Sequence, residues 1–156
     1  LLKNSSDGWE GNVLFTLGVD KDKLSDKYLR GFIEDADFNG ESITIYAEEA
    51  WGVTGFKDFL RELFDDIEVF WETEEPGNEV YQTNDSTGEF FPEKFCVDTY
   101  INDDWQTEYF TTKEKAYKWL SEIADCSTEE DVKRFNEDNK DAGFYIYVHE
   151  FEVIED

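Results

Sequence analysis

The sequence predicts an α+β fold: one domain in which three to four helices pack on a mainly antiparallel sheet. Three observations predict it. The hydrophobic period switches in an orderly way between two and about 3.6 along the chain. Turn signals of the kind that join antiparallel strands, Glu75-Pro76-Gly77-Asn78 and Asn102-Asp103-Asp104, separate the alternating runs. Finally, 5 Trp, 8 Tyr and 14 Phe among 156 residues supply a large apolar area, although 40 acidic against 14 basic side chains give a net charge of −26. Such a charge with few aromatics would read as disorder; with this many it reads as a folded core under an acidic surface.

Taken in order, Asn12 to Val19 alternates, with Val13, Phe15, Leu17 and Val19 on one face, which predicts a strand. Leu24, Tyr28, Phe32 and Ile33 fall at helical spacing, and Glu41 to Glu48 returns to strand character around Ile43 and Ile45. Phe56, Phe59, Leu60, Leu63, Phe64 and Ile67 form the clearest helical stripe. A strand over Glu68 to Thr73 should join Glu79 to Thr83 through a type II turn at Pro76-Gly77. After a second turn at Asn84 to Gly88, strands are expected at Phe95 to Tyr100 and Trp105 to Phe110. Thr111 with Glu114, and Ser127 with Glu130, are spaced as capping boxes. They open helices that carry Ala116, Trp119, Leu120 and Ile123, then Val132 and Phe135, inward. Phe144 to Ile154 reads as one long strand, with Phe144, Ile146 and Val148 on one face and Tyr145, Tyr147, His149 and Phe151 on the other.

Composition excludes whole classes of function. A nucleic-acid binder needs a basic face, and 14 cations diluted among 40 acids do not make one. No apolar run approaches the ~20 residues of a membrane span, and an anionic lipid surface would repel this chain. The expected location is the cytoplasm. Cys96 and Cys126 are expected as two reduced thiols, and a first residue Leu1 without methionine suggests that residues were removed upstream. The acids are not stored in a tail, since residues 1–50, 51–100 and 101–156 carry net charges of −6, −10 and −10.

No catalytic residue and no cofactor is expected. His149 is the single histidine and sits in a strand beside Glu150, so no Ser/His/Asp or Cys/His arrangement and no zinc site can be assembled around a second one. Asp35, Asp37 and Asn39 with Gly40 fit the first half of a calcium loop, but the twelfth position is Tyr46 where a bidentate Glu belongs. This is a weak calcium candidate, set against an acidic turn. What remains is the acidic surface itself. Its clusters are Asp65, Asp66 and Glu68; Glu72, Glu74 and Glu75; Asp103 and Asp104; and Glu129, Glu130 and Asp131. These are the expected partner-binding residues, and crowding them on one domain predicts that acid and added salt both stabilise it.

From residue 43 to 136 the landmarks form a further pattern. Ile43-Thr44-Ile45-Tyr46 is followed by Val69-Phe70-Trp71-Glu72-Thr73-Glu74-Glu75-Pro76-Gly77, then Gly88-Glu89-Phe90-Phe91-Pro92, then Tyr109-Phe110-Thr111-Thr112 and Trp119-Leu120. This run resembles the ferredoxin-like (YubB-type) domain of conjugative-plasmid and phage proteins. The resemblance implies a βαββαβ-like sheet, a mobile-element protein and no assigned catalytic residues. The functional expectation is a non-enzymatic, acidic interaction protein, a DNA mimic or anti-defence inhibitor that occupies the basic, nucleic-acid-binding surface of a host protein. The alternative is an immunity or accessory module that recognises its partner by shape and exposed aromatics, with Trp9, Trp51, Trp71 or Trp105 as anchors. An exposed contiguous aromatic patch would favour the second; buried tryptophans beneath a fully charged face would favour the first.

Overall fold

A computed structural model describes residues 8–25, 27, 29–49 and 55–155. The α+β class holds, with the strands distributed over three sheets rather than one. The chain divides into two compact units, Leu1–Val69 and Phe70–Asp156.

In the first unit, Glu10–Thr16 (α1) and Lys21–Leu24 (α2) precede the strands Gly31–Phe38 (β1) and Ile43–Glu49 (β2) and the helix Gly55–Leu63 (α3). Two expectations fail here. The alternating run at Asn12 is a helix, because Glu10, Val13 and Leu14 fall at i, i+3 and i+4 and are the residues it buries, while Phe15 and Leu17 stay exposed. The helical spacing of Leu24, Phe32 and Ile33 is a coincidence across a boundary: α2 stops at Leu24, and Phe32 and Ile33 lie on β1, one out and one in. Tyr28 lies outside the described residues. Val13, Leu14, Ile33, Phe56 and Phe59 make this unit's core, while Phe64 and Ile67 lie beyond the end of α3 and are exposed. β1 and β2 pair as an antiparallel hairpin. Asn39 Oδ1 accepts from the N–H groups of Glu41 and Ser42, both at 2.9 Å, and so makes its turn.

The second unit contains the strands Glu72–Glu75 (β3), Val80–Thr83 (β4), Phe95–Ile101 (β5) and Asp104–Phe110 (β6), then the helices Lys113–Ala124 (α4) and Glu129–Asn139 (α5), then Tyr145–Glu150 (β7) and Glu152–Val153 (β8). One sheet runs β3-β4-β8, the other β6-β5-β7. The hairpin at Pro76 is present, but its corner is a 3-10 turn over Pro76–Asn78 closed by Glu79 in the left-handed region, not a type II turn. Its ladder begins at Glu72, later than the expected Glu68. Asn102 and Asp103 both have positive φ, the requirement of the type I′ turns that suit a twisted hairpin. Both N-caps are displaced by one residue, and the first is a one-way cap because Lys115 stands where a box needs an acceptor. Thr112 and Thr128, in extended conformation, accept from Lys115 N–H and Asp131 N–H. Asp131 in return accepts from Ser127 N–H at 3.1 Å. The expected long terminal strand breaks at Phe151, so that β7 pairs antiparallel with β5 and β8 pairs parallel with β4.

The two faces of the β6-β5-β7 sheet follow from strand alternation. Phe95, Val97 and Ile146 point to the helices, where they pack with Ala116, Leu120, Cys126 and Val132. Trp119 packs against that core as expected, whereas Ile123 is exposed. Each fully buried aliphatic side chain here contributes about 1.5–3 kcal/mol relative to exposure. The opposite face carries no helix.

Candidate functional site

That opposite face is a three-by-three array set by register. β5 presents Cys96, Asp98 and Tyr100; β6 presents Tyr109, Thr107 and Trp105 beside them; β7 presents His149, Tyr147 and Tyr145. Six of the nine are aromatic, counting the imidazole. The Tyr145 ring sits 5.7 Å from Tyr100, 5.7 Å from Trp105 and 5.1 Å from Tyr147, so the rings form a continuous patch. Trp105 is 55% exposed and Tyr147 47%.

A buried carboxylate organises the array. Asp98 is 4% exposed, and its two oxygens accept from Thr107 Oγ1 at 2.6 Å and Tyr81 OH at 3.1 Å. Thr107 Oγ1 also accepts from Trp105 Nε1 at 3.1 Å, so Asp98 orients the exposed indole through one hydroxyl. Tyr81, on β4, stacks on His149 at 4.2 Å and packs with Cys96 and Phe151, which fastens the β3-β4-β8 sheet to one end of the array. Burial, reinforced by Asp98, raises the Tyr81 phenol well above its ordinary range. Burial likewise raises Tyr109, whose hydroxyl donates to Glu74 at 2.8 Å. A shallow cleft of about 330 Å³ lies beside the stack, lined by Tyr81, His149, Glu79, Glu150 and Glu152 among others.

His149 Nε2 lies 3.8 Å from Asp98 Oδ2. Burial lowers the imidazole's affinity for a proton more than Asp98 and Glu79 raise it. Cys96 is its register partner, but that thiol is 1% exposed and pushed up to about 12, chiefly by burial. A thiol held in that form is a poor nucleophile. The face thus displays rings, hydroxyls and carboxylates, and its one thiol is held protonated. The chain matches no protein-family model, no curated protein and no solved structure.

The expected partner-binding acids are distributed unevenly. Asp65, Asp66 and Glu68 follow α3 in the first unit and are exposed. In the second unit Asp103, in the turn at the rim of the array, accepts from Tyr100 OH at 2.9 Å, while Asp104 accepts from Gln106 Nε2 at 2.7 Å on the other face of β6. Glu74 and Glu75 lie on β3, and Glu75 is tied to Asn78 at 2.7 Å. Glu129, Glu130 and Asp131 fill the first turn of α5 and have a structural use there. Glu129 meets Lys133 at 3.2 Å and Asp131 pairs with Arg134, and both carboxyls are held below their ordinary range, by Lys133 and by Thr128 first.

The calcium candidate residues lie on the β1–β2 hairpin. Asp35 and Asp37 lie in extended β1, and Asn39 Oδ1 accepts from two backbone N–H groups in the hairpin turn. Among the described residues no group of three or more His, Cys, Asp or Glu could hold a metal ion, and no helix is long and apolar enough to cross a membrane. Of the candidate anchors, Trp9 and Trp105 are exposed, Trp71 is half-buried, and Trp51 lies outside the described residues. Sequence reading missed Asp98 and Tyr81. The one available signal was a single Asp, flanked by Val97 and Thr99, in a strand otherwise built for burial.

Proposed function

We propose that this chain is a non-enzymatic acidic interaction protein that binds a basic partner protein, with the open face of the β6-β5-β7 sheet as its anchor. The observation that supports this reading most is the continuous ring patch in which Trp105 and Tyr147 are exposed and Tyr100 and Tyr145 half-buried, with Asp103 at its rim. Exposed rings bordered by carboxylates favour guanidinium and ammonium groups, which stack on π-faces while pairing with the acids. A patch of this kind favours recognition by aromatic anchors over a face that imitates duplex phosphates. The net charge of −26 then acts as the steering field, accelerating encounter with a positive partner.

Capture from a cell lysate at about 0.05 M and about 0.5 M sodium chloride tests this. Retained proteins should be basic, should elute as salt rises, and should be lost from a Trp105→Ala/Tyr147→Ala variant. Recovery of only neutral or acidic proteins, indifferent to salt and to the double substitution, would refute it.

A further inference from the structure

The β6-β5-β7 sheet has two edges, and they are treated differently. Phe151 N–H donates to the Lys94 carbonyl at 3.0 Å, which fixes the parity of the ladder: even-numbered residues of β5 bond towards β7 and odd-numbered ones towards β6. On β7 the outward main-chain groups are therefore those of Ile146, Val148 and Glu150, and the first of these, Ile146, is covered. It is capped on both sides by one side chain, Asn136 Oδ1 accepting from Ile146 N–H and Asn136 Nδ2 donating to Ile146 O, each at 2.8 Å. A primary amide placed this way imitates a neighbouring strand and blocks that end of the edge.

The same parity leaves Trp105, Thr107 and Tyr109 of β6 with their N–H and C=O groups directed away from β5. β6 is seven residues long, is exposed from Asp104 to Tyr109, and contains no proline, no lysine and no register shift against β5. Its side chains sort cleanly. Asp104, Gln106 and Glu108 lie on the helix-bearing face, and Trp105, Thr107 and Tyr109 on the aromatic one. A second copy of the chain pairing here would bring the Asp104 and Glu108 carboxylates of both copies onto one face, and like charges on facing strands repel. A segment with lysine or arginine at those positions would be attracted.

We propose that β6 binds an extended, cationic segment of the partner protein by strand addition, with basic residues against Asp104 and Glu108 and apolar residues beside Trp105, Thr107 and Tyr109. This rests on the reading of the chain as a binder of basic proteins and names how the partner is held. Main-chain hydrogen bonds to three residues supply attachment, and the alternation of charge and ring supplies selectivity.

The test uses a fluorescent heptapeptide of alternating lysine and valine, titrated by anisotropy against the full chain, with two N-methylated versions. In an antiparallel complex the valine amides face β6; in a parallel one the lysine amides do. Methylation of one set and not the other should weaken binding about tenfold or more, since several net-favourable hydrogen bonds are lost. Thr107→Pro should weaken the unmodified peptide comparably. Thr107→Ala, which keeps the outward N–H and loses only the hydroxyl's bonds to Asp98 and Trp105, should weaken it less than Thr107→Pro does. Equal binding of all three peptides would overturn strand addition while leaving a salt-sensitive basic partner intact as a separate result. No binding of the unmodified peptide would overturn it too, as would a dimer in sedimentation that Thr107→Pro dissociates.

Discussion

Glu72 offers a direct test of how the acidic surface is carried. It lies half-buried on β3, with Oε2 buried and without a hydrogen-bond partner. Burial first, then Glu93 and Glu74, raise its carboxyl from 4.5 to about 7, with Lys94 opposing. A group whose affinity for a proton is higher in the folded than in the unfolded chain stabilises the fold when protonated. That contribution is complete below about 4.5 and is lost as pH rises through about 7. Linkage over that interval amounts to about 3 kcal/mol, and solvent screening of a group that is only partly buried reduces it to about 1–2 kcal/mol. Glu72→Gln removes the charge and keeps the shape. The variant should therefore be about 1–2 kcal/mol more stable than the parent at pH 8, with the gain shrinking to a few tenths towards pH 5. Urea denaturation followed by tryptophan fluorescence at pH 5, 6, 7 and 8 reads this directly. Parallel loss of stability by both proteins across that range would show that Glu72 is solvated and that the local account is wrong.

Three other outcomes are expected. Asp85 is fully buried and accepts from the N–H groups of Thr87, Gly88, Phe90 and Phe91; although burial opposes it, those bonds hold its carboxyl far below the ordinary range. Asp85→Asn must turn an NH2 towards one pair of these donors and should cost about 2–4 kcal/mol at pH 7 by chemical denaturation, with the parent's advantage disappearing as pH falls below about 4. Cys96 and Cys126 are both buried with thiols raised by burial, so a thiol-specific reagent at pH 8 should find neither in the native chain and both after unfolding. Melting temperature should rise between about 0.01 M and about 0.1 M sodium chloride as the Debye length falls from about 30 to about 10 Å; a fall would show that ion pairs such as Lys133–Glu129 outweigh net repulsion.

The second unit was far more legible in the sequence than the first. Its turns carry Pro, Gly, Asn and Asp at positions where local backbone chemistry decides the outcome, and its strands alternate cleanly. The displaced N-caps show the limit of such signals. Thr111-Thr112 and Ser127-Thr128 each offer two adjacent hydroxyls, and only the backbone conformation selects the second. In the first unit, the apolar pattern from Val13 to Val19 satisfied both periods, because Leu14 filled the gap that would have marked a strand. The aromatic array was half visible. The face Tyr145, Tyr147, His149 was read from alternation, but its junction with Asp98 and Tyr81 joins residues 51 and 17 positions apart or more, and no local rule encodes such pairing. The Asn136 cap on Ile146 was invisible for the same reason.

The break at Phe151 sets an order on the birth of this unit. Residues 145 to 153 supply an outer strand to each of its two sheets, and Ile154 N–H closes on Thr83 O at 2.8 Å. A ribosome delivers β3 to β6 and both helices before that segment. Until it emerges, the β7 side of β5 and the β8 side of β4 stand open together, with Tyr81 and Cys96 lacking Phe151. Long-range pairing of this kind is slow to form and exposes strand edges while it waits. Like charges repel, so the dense negative charge opposes pairing between half-made copies at those open edges.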